Sequence, residues 1–258
     1  MTSSEFAAGQ DAWISRLSGL RNIVRQELVF RQLRAELSEQ HGPVLDIGCG
    51  QGTQALALAE RGFHVTGLDS SPELLDRFRQ ACAGRPSQIR DRIQIIHADI
   101  TAARPIIDHN RYDVVLCHGV LMYFPDPGPV LDLLTHAVPA GGLLSLLVRN
   151  AEALAMRSGL QGDWPTTNAA FNASTYRNRH GVQARADRLD DLRDQLAERG
   201  MTVDNWYGVR TFTDALPSDA AVPDEKVLTE LLAAEERAGR TDPYRCVSGL
   251  LHIIARRH

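Results

Sequence analysis

The stretch Asp46-Ile47-Gly48-Cys49-Gly50-Gln51-Gly52 constrains this chain more than any other. Three glycines at alternate positions separate a short apolar run, Val44–Ile47, from Thr53–Arg61, which has helical spacing and stops at Gly62. A strand that turns at once into a helix needs backbone conformations that glycine adopts freely. A backbone without side chains also lets a ligand approach the amides at the helix start. A tight turn with no ligand is the plain alternative, but the strand before and the helix after favour a binding loop.

Strand and helix alternate around this loop. Leu20–Gln40 has apolar residues at helical spacing and no Gly or Pro, which predicts an amphipathic helix ended by His41-Gly42-Pro43. His64–Leu68 is a second strand, running into Asp69. Ser70-Ser71-Pro72-Glu73 carries the cap, the proline and the acid of a helix start, and that helix runs to about Ala83. Ile93–His97, Tyr112–Cys117 and Leu143–Val148 predict strands, with a helix over Pro129–Val138. Arg188–Arg199 and Asp224–Ala238 predict helices, and Val203–Val209 and Val247–Ala255 two late strands. This order implies the α/β class: a Rossmann-like, doubly wound, mostly parallel sheet of seven strands behind an N-terminal helix. The polar stretch 151–186 predicts a lid over the sheet's carboxyl edge, within one domain spanning 1–258.

Composition narrows the class further. At 258 residues and 43% hydrophobic, the chain can bury a core without disulfide or metal staples. None of its four cysteines forms a C-x-x-C pair, and no Cys/His cluster has zinc spacing, so free thiols and no metal site are expected. Met1–Gln10 lacks the apolar run of a signal peptide, and no segment approaches the roughly 20 apolar residues of a membrane span. The expectation is a cytoplasmic protein with no membrane association and no obligate protein partner. A net charge of −4 argues against broad nucleic-acid binding but leaves room for a local basic face.

Acidic residues recur at the predicted strand ends. Asp69 can accept both hydroxyls of a ribose and would suit NAD as well. Asp46 precedes the glycines, and Asp99 follows the third strand in His97-Ala98-Asp99-Ile100. With these acids, the loop and the block Leu116-Cys117-His118-Gly119-Val120-Leu121-Met122-Tyr123-Phe124-Pro125-Asp126-Pro127 resemble the class I methyltransferases that use S-adenosylmethionine (SAM). The resemblance implies that Asp46 orders the loop or faces the methionine part, with Gly48, Cys49, Gly50 and Gly52 forming the cradle. It places Asp69 and Ser70 at the ribose, Asp99 and Ile100 at the adenine, and His118 beside the methionine moiety. An NAD-linked oxidoreductase on a similar sheet is the rival reading, and a SAM-binding protein without catalysis a third.

Over most of its length the chain is also similar to the bacterial methyltransferase family that esterifies carboxymethoxyuridine at the tRNA wobble position. The similar stretches are Val24-Arg25-Gln26-Glu27-Leu28, Leu143–Leu146 with Asn150-Ala151, Gly208-Val209-Arg210-Thr211-Phe212-Thr213-Asp214, and Leu231–Tyr244. The resemblance implies that Arg25 reaches the cofactor carboxylate and that the acceptor is the carboxylate of a modified tRNA uridine. The stretch 169–182 departs from it: where the family has a lysine-rich segment, only Arg177, Arg179 and His180 are basic. A small-molecule acceptor, a sugar hydroxyl or a metabolite carboxylate, is therefore the alternative.

A carboxylate acceptor needs orientation and a cationic anchor rather than a base. Arg210, following a predicted strand, is the candidate anchor, with a surface ion pair as the plain alternative. Asn150, after Arg149 at the end of the fifth strand, either points at substrate or caps the next helix. A hydroxyl acceptor would instead need a base, for which His118, His180 and Asp163 are candidates. Tyr244 either closes the pocket or packs.

Overall fold

The computed structural model describes residues 19–38, 42–109, 111–178, 181–217 and 219–258. Met1–Gln10, His41, Arg179 and His180, which carry expectations from the sequence, lie outside the described residues.

Nine strands are described, and seven of them form one sheet. These seven are β1 (Pro43–Ile47), β2 (His64–Asp69), β3 (Ile93–His97), β4 (Val114–His118), β5 (Leu143–Arg149), β8 (Thr202–Val209) and β9 (Leu250–Arg256), in the order β3-β2-β1-β4-β5-β9-β8. Pairing is parallel from β3 across to β5, and β9 runs antiparallel to both β5 and β8. The fold class expected from the alternating pattern is the one observed. Chain order reverses between β1 and β4, and ligands of such sheets bind outside the carboxyl ends of the strands at that crevice.

Helices cover both faces, because strands buried on both sides need apolar partners above and below. On one face, Leu131 and Leu134 of α4 (Gly128–Ala137) and Leu192 and Leu196 of α7 (Leu189–Ala197) pack on Leu45, Val115, Leu146 and Ile253. On the other, Leu33 of α1 (Leu20–Glu36), Leu58 of α2 (Thr53–Ala59) and Phe78 of α3 (Pro72–Ala83) pack on Val44, Leu116 and Ile254. Each such leucine contributes about 1.5–3 kcal/mol by leaving water. Helix α8 (Glu225–Ala238) lies against α1 through Leu232. Ser71 caps α3 by accepting from the Leu74 amide, with Pro72 in the first turn.

Three details differ from the sequence expectations. Helix α1 ends at Glu36 with Leu37 extended, and the end expected for it, Gln40, lies outside the described residues. The last strand begins at Leu250, because Tyr244–Val247 forms a 3-10 turn. The stretch 151–186 is more ordered than its polar sequence suggests. It holds α5 (Leu154–Leu160), α6 (Trp164–Ala170) and a hairpin of β6 (Thr175–Arg177) with β7 (Gln183–Arg185). The hairpin strands are three residues each, Thr175-Tyr176-Arg177 and Gln183-Ala184-Arg185, and a single polar–apolar–polar triplet is too short to establish a period of two.

Candidate active site

The loop after β1 is tied to β2. Gly48 and Cys49 donate their amides to the Leu68 carbonyl at 2.8 and 3.1 Å, and Gly50 donates to Asp69 Oδ2 at 2.8 Å. Gly48, Gly50 and Gly52 all have positive φ. A Cβ on Gly52 would also stand 2.1 Å from Phe78 Cδ2, so glycine there serves both the turn and the packing of α2 on α3.

The two carboxylates of this loop are electrostatically disfavoured. Burial, then the neighbouring Asp69, pushes Asp46 up to about 7. Burial raises Asp69 as well, against the amides of Ser71 and Gly50 that hold it down. A cationic ligand beside them relieves this cost. Asp69 Oδ2 accepts the Gly50 amide and Oδ1 the Ser71 amide, and the Ser70 amide also supports the carboxylate. Asp99 Oδ1 accepts from both the amide and the hydroxyl of Thr101, and Asp99 is exposed at the next strand end. The Ile100 side chain is 6% exposed and belongs to the core, so only its backbone is available to a ligand. Ser70 is exposed, and its carbonyl pairs with His97 Nε2. Cys49 is half-buried, and burial raises its thiol far above the ordinary range.

A cavity of about 530 Å³ opens at the ends of β4 and β5, lined by Gly119, whose neighbour Val120 stands over Gly48 of the loop. Its lining includes Arg21, Arg25, Arg149, Arg157, Arg177 and Arg210, although the chain as a whole is acidic. Helices α5 and α6 and the hairpin form its outer wall through residues such as Leu154, Thr166 and Tyr176. Arg25 and Gly119 mark where the cavity meets the end of β4.

At the cavity floor three guanidiniums converge on Asp214. Arg21 Nη2 and Arg210 Nη2 each lie 2.9 Å from Asp214 Oδ1, and Arg149 Nη1 lies 2.8 Å from Oδ2. Burial alone would raise this carboxyl, but Arg210 and Arg149 hold it down at about 2. Arg210 has φ 62°, a left-handed conformation, and the Thr211, Phe212 and Thr213 amides that follow all donate to the wholly buried Glu235. The Nε atoms of Arg21, Arg149 and Arg210 are buried without a hydrogen-bond partner among the described residues. The Arg149 guanidinium also lies 5.5 Å from the Tyr176 ring centre. Burial, then Arg210, lowers Arg25 to about 10, and burial followed by Arg149 and Arg210 lowers Arg157.

The remaining candidates fall elsewhere. Asn150 is 1% exposed. Its Nδ2 donates to the carbonyls of Cys246 and Ser248 and its Oδ1 accepts from the Glu152 amide, so its amide is spent on anchoring and does not face the cavity. Asp163 lines the cavity and caps α6. Tyr244 is exposed and absent from the cavity wall. His118 lies at the end of β4 with its Nε2 bonded to Ser145 Oγ. Sequence reasoning missed Arg21, Arg157 and the central role of Asp214. Arg21 stands one turn before Arg25 on α1, a spacing that puts both on one helix face and was the available signal. Among the described residues, no three His, Cys, Asp or Glu gather for a metal ion and no helix is long and apolar enough to cross a membrane.

Residues 45–146 match the family described as a methyltransferase domain. The chain is 31% identical over 239 residues to a tRNA 5-carboxymethoxyuridine methyltransferase of Escherichia coli strain K12, covering 91% of this chain and 88% of that protein. It is 38% identical over 101 residues to a ubiquinone biosynthesis O-methyltransferase of Xylella fastidiosa, 39% of each chain. In fold it is similar to the magnesium protoporphyrin IX methyltransferase of Synechocystis with bound SAH, S-adenosylhomocysteine. That match has a TM-score of 0.65 at 15% identity, covering 99% of this chain and 97% of the other.

Proposed function

This chain belongs to the SAM-dependent methyltransferases, in the family of the tRNA 5-carboxymethoxyuridine methyltransferase, and on that premise we propose that it methylates an acceptor carboxylate held by the arginines of the cavity. One observation carries the reading: six arginines line the cavity, while the acidic groups at it are Asp163 on the wall and Asp214 beneath. Three of those arginines leave a buried Nε–H without a partner among the described residues. A buried donor without a partner costs about 1–3 kcal/mol, and a carboxylate that accepts from it removes that cost.

The loop residues fit the cofactor. It carries a sulfonium and an ammonium, and Asp46 and Asp69 are carboxylates that a neighbouring cation favours. When bound, SAM supplies a methyl carbon made electrophilic by its sulfonium. In this reading Asp69 accepts from the ribose hydroxyls and Asp99 stands at the adenine. Gly48, Cys49, Gly50 and Gly52 form the cradle, and Arg25 neutralises the cofactor carboxylate. Arg210, Arg149 and Arg157 strip water from the acceptor carboxylate and fix which oxygen faces the methyl group. No base is needed, because a carboxylate is already ionised at neutral pH.

Similarity to a tRNA 5-carboxymethoxyuridine methyltransferase over 91% of this chain supports the carboxylate of a modified wobble uridine as the acceptor in this reading. The test is mass spectrometry of digested tRNA from cells with and without the gene, together with the purified protein incubated with that tRNA and labelled SAM. Loss of a uridine methyl ester in the deletion strain, restored in vitro, is expected. An unchanged tRNA digest would move the acceptor to a small molecule.

A further inference from the structure

A chain of polar groups crosses the apolar centre of the sheet from α1 to the end of β4, and the chemistry above makes no use of it. Gln32, Ser145 and His252 are all 0% exposed. Gln32 Nε2 donates to the Gly208 carbonyl at 3.3 Å, which turns its Oε1 toward His252 Nδ1 at 2.8 Å. His252 therefore carries its proton on Nδ1, and its Nε2 is an acceptor. Ser145 Oγ, 2.8 Å away, donates to that Nε2. A hydroxyl has one proton, so toward His118 the same Oγ can only accept, and it accepts from His118 Nε2 at 2.8 Å.

Every proton in the chain is thus assigned by its neighbours. His118 is left with a lone pair on Nδ1, and that atom is buried with no partner among the described residues. Burial, then His252, then Arg25 hold His118 well below its ordinary titration range. The chain also ends on an amide, Gln32, which cannot take up a proton. These groups can orient His118, but they cannot carry charge away from it.

His118 stands at the crevice of the sheet. Its neighbours in β4 pair with the strand that enters the glycine loop, Leu116 with Asp46 and Cys117 with Ile47. The next residue, Gly119, borders the cavity beside Arg25. An acceptor fixed at that point suits an N–H donor, and at its methionine end the cofactor carries one such group, the ammonium.

We propose that Gln32, His252 and Ser145 are positioning residues that lock His118 with Nδ1 as a fixed acceptor for the cofactor's ammonium, and that His118 takes no proton in the reaction. The inference concerns cofactor binding and is independent of which acceptor is methylated.

The test combines long-range nitrogen–proton NMR of the histidine rings with calorimetric titration of SAH, neither of which needs an acceptor. In the wild-type protein His118 shows a protonated Nε2 and a bare Nδ1 across roughly pH 6 to 9, and Nδ1 shifts on SAH addition. Ser145→Ala and His252→Leu mix the two tautomers and weaken SAH binding by about 3–10-fold, the scale of one hydrogen bond. His252→Gln, whose amide oxygen can still accept from Ser145, recovers most of that loss. Because His252→Leu removes a buried ring and both of its hydrogen bonds, whereas Ser145→Ala removes a single oxygen, Ser145→Ala, confirmed folded by circular dichroism, is the deciding variant. A wild-type His118 protonated on Nδ1 overturns the proposal. So does a folded Ser145→Ala with unchanged tautomer and unchanged SAH affinity.

Discussion

Asp214→Asn tests the cavity floor most directly. The substitution keeps the size of the side chain and removes the one charge on which Arg21, Arg149 and Arg210 converge at 2.8–2.9 Å. Those guanidiniums are buried or nearly so, with side-chain exposures of 5%, 7% and 15%. Leaving buried charge uncompensated costs about 3–5 kcal/mol. For a chain of this length each kcal/mol corresponds to about 2–4 °C, so the melting temperature should fall by roughly 6–20 °C. If the arginines form an anion site, an added carboxylate should replace the lost one and stabilise the variant by mass action. The assay is thermal unfolding in sodium acetate and in sodium chloride at equal ionic strength, which holds screening constant. Acetate should restore part of the loss in the variant. A drop below about 2 °C, or equal recovery in both salts, would refute the idea that this cluster seeks an anion.

Three further outcomes are expected. Asp46 titrates near 7, so below that pH cofactor binding must expel its proton: affinity for SAM should fall as pH drops from about 8 to 6, and calorimetry in buffers of different ionisation enthalpy should show proton release that Asp46→Asn abolishes. Gly52→Ala places a Cβ 2.1 Å from Phe78 at φ 79°, which should cost about 2–5 kcal/mol of stability in denaturant unfolding, strain and overpacking together. Arg210→Lys keeps the charge but loses the planar fork; it should raise KM and lower kcat for the acceptor together while SAH affinity stays near wild type, and a selective loss of SAH binding would reassign the residue.

The sheet was legible in the sequence because its strands are short apolar runs bounded by Gly, Pro and Asp, and the loop because its glycines sit between a strand and a helix. The cofactor candidates came from the resemblance of the loop and of the block around His118 to class I methyltransferases, together with chain order: parallel strands deliver their last residues to one edge, where Asp46, Asp69 and His118 lie. Of the arginine floor, Arg210 was legible from its place after a predicted strand, but its convergence with Arg21 and Arg149 on Asp214 was not. Arg21 meets Asp214 across 193 positions and Arg149 meets it across 65, and no local pattern encodes such pairings. Asn150 allowed two readings from sequence, contact with substrate or a cap on the chain that follows, and its amide bonds backbone groups around residues 246–248 and at Glu152.

That anchoring has an evolutionary corollary. The chain leaves the sheet at Arg149 and returns at Asp187, and the two exit points are pinned side by side: Asn150 bridges Asp187, the Ala151 amide donates to the Asp187 carbonyl at 2.9 Å, and the Asp187 amide donates to the Arg149 carbonyl at 2.8 Å. Everything that walls the outer side of the cavity is therefore a closed excursion from one fixed doorway. Lengthening such an excursion costs only about 0.6 kcal/mol per doubling. Selection can rewrite the wall, and with it the shape of the molecule admitted, while the cofactor loop and the arginine floor stay as they are. A chimaera cut at Asn150 and Asp187 would exchange this wall as one piece, because both cuts fall at the pinned exit points.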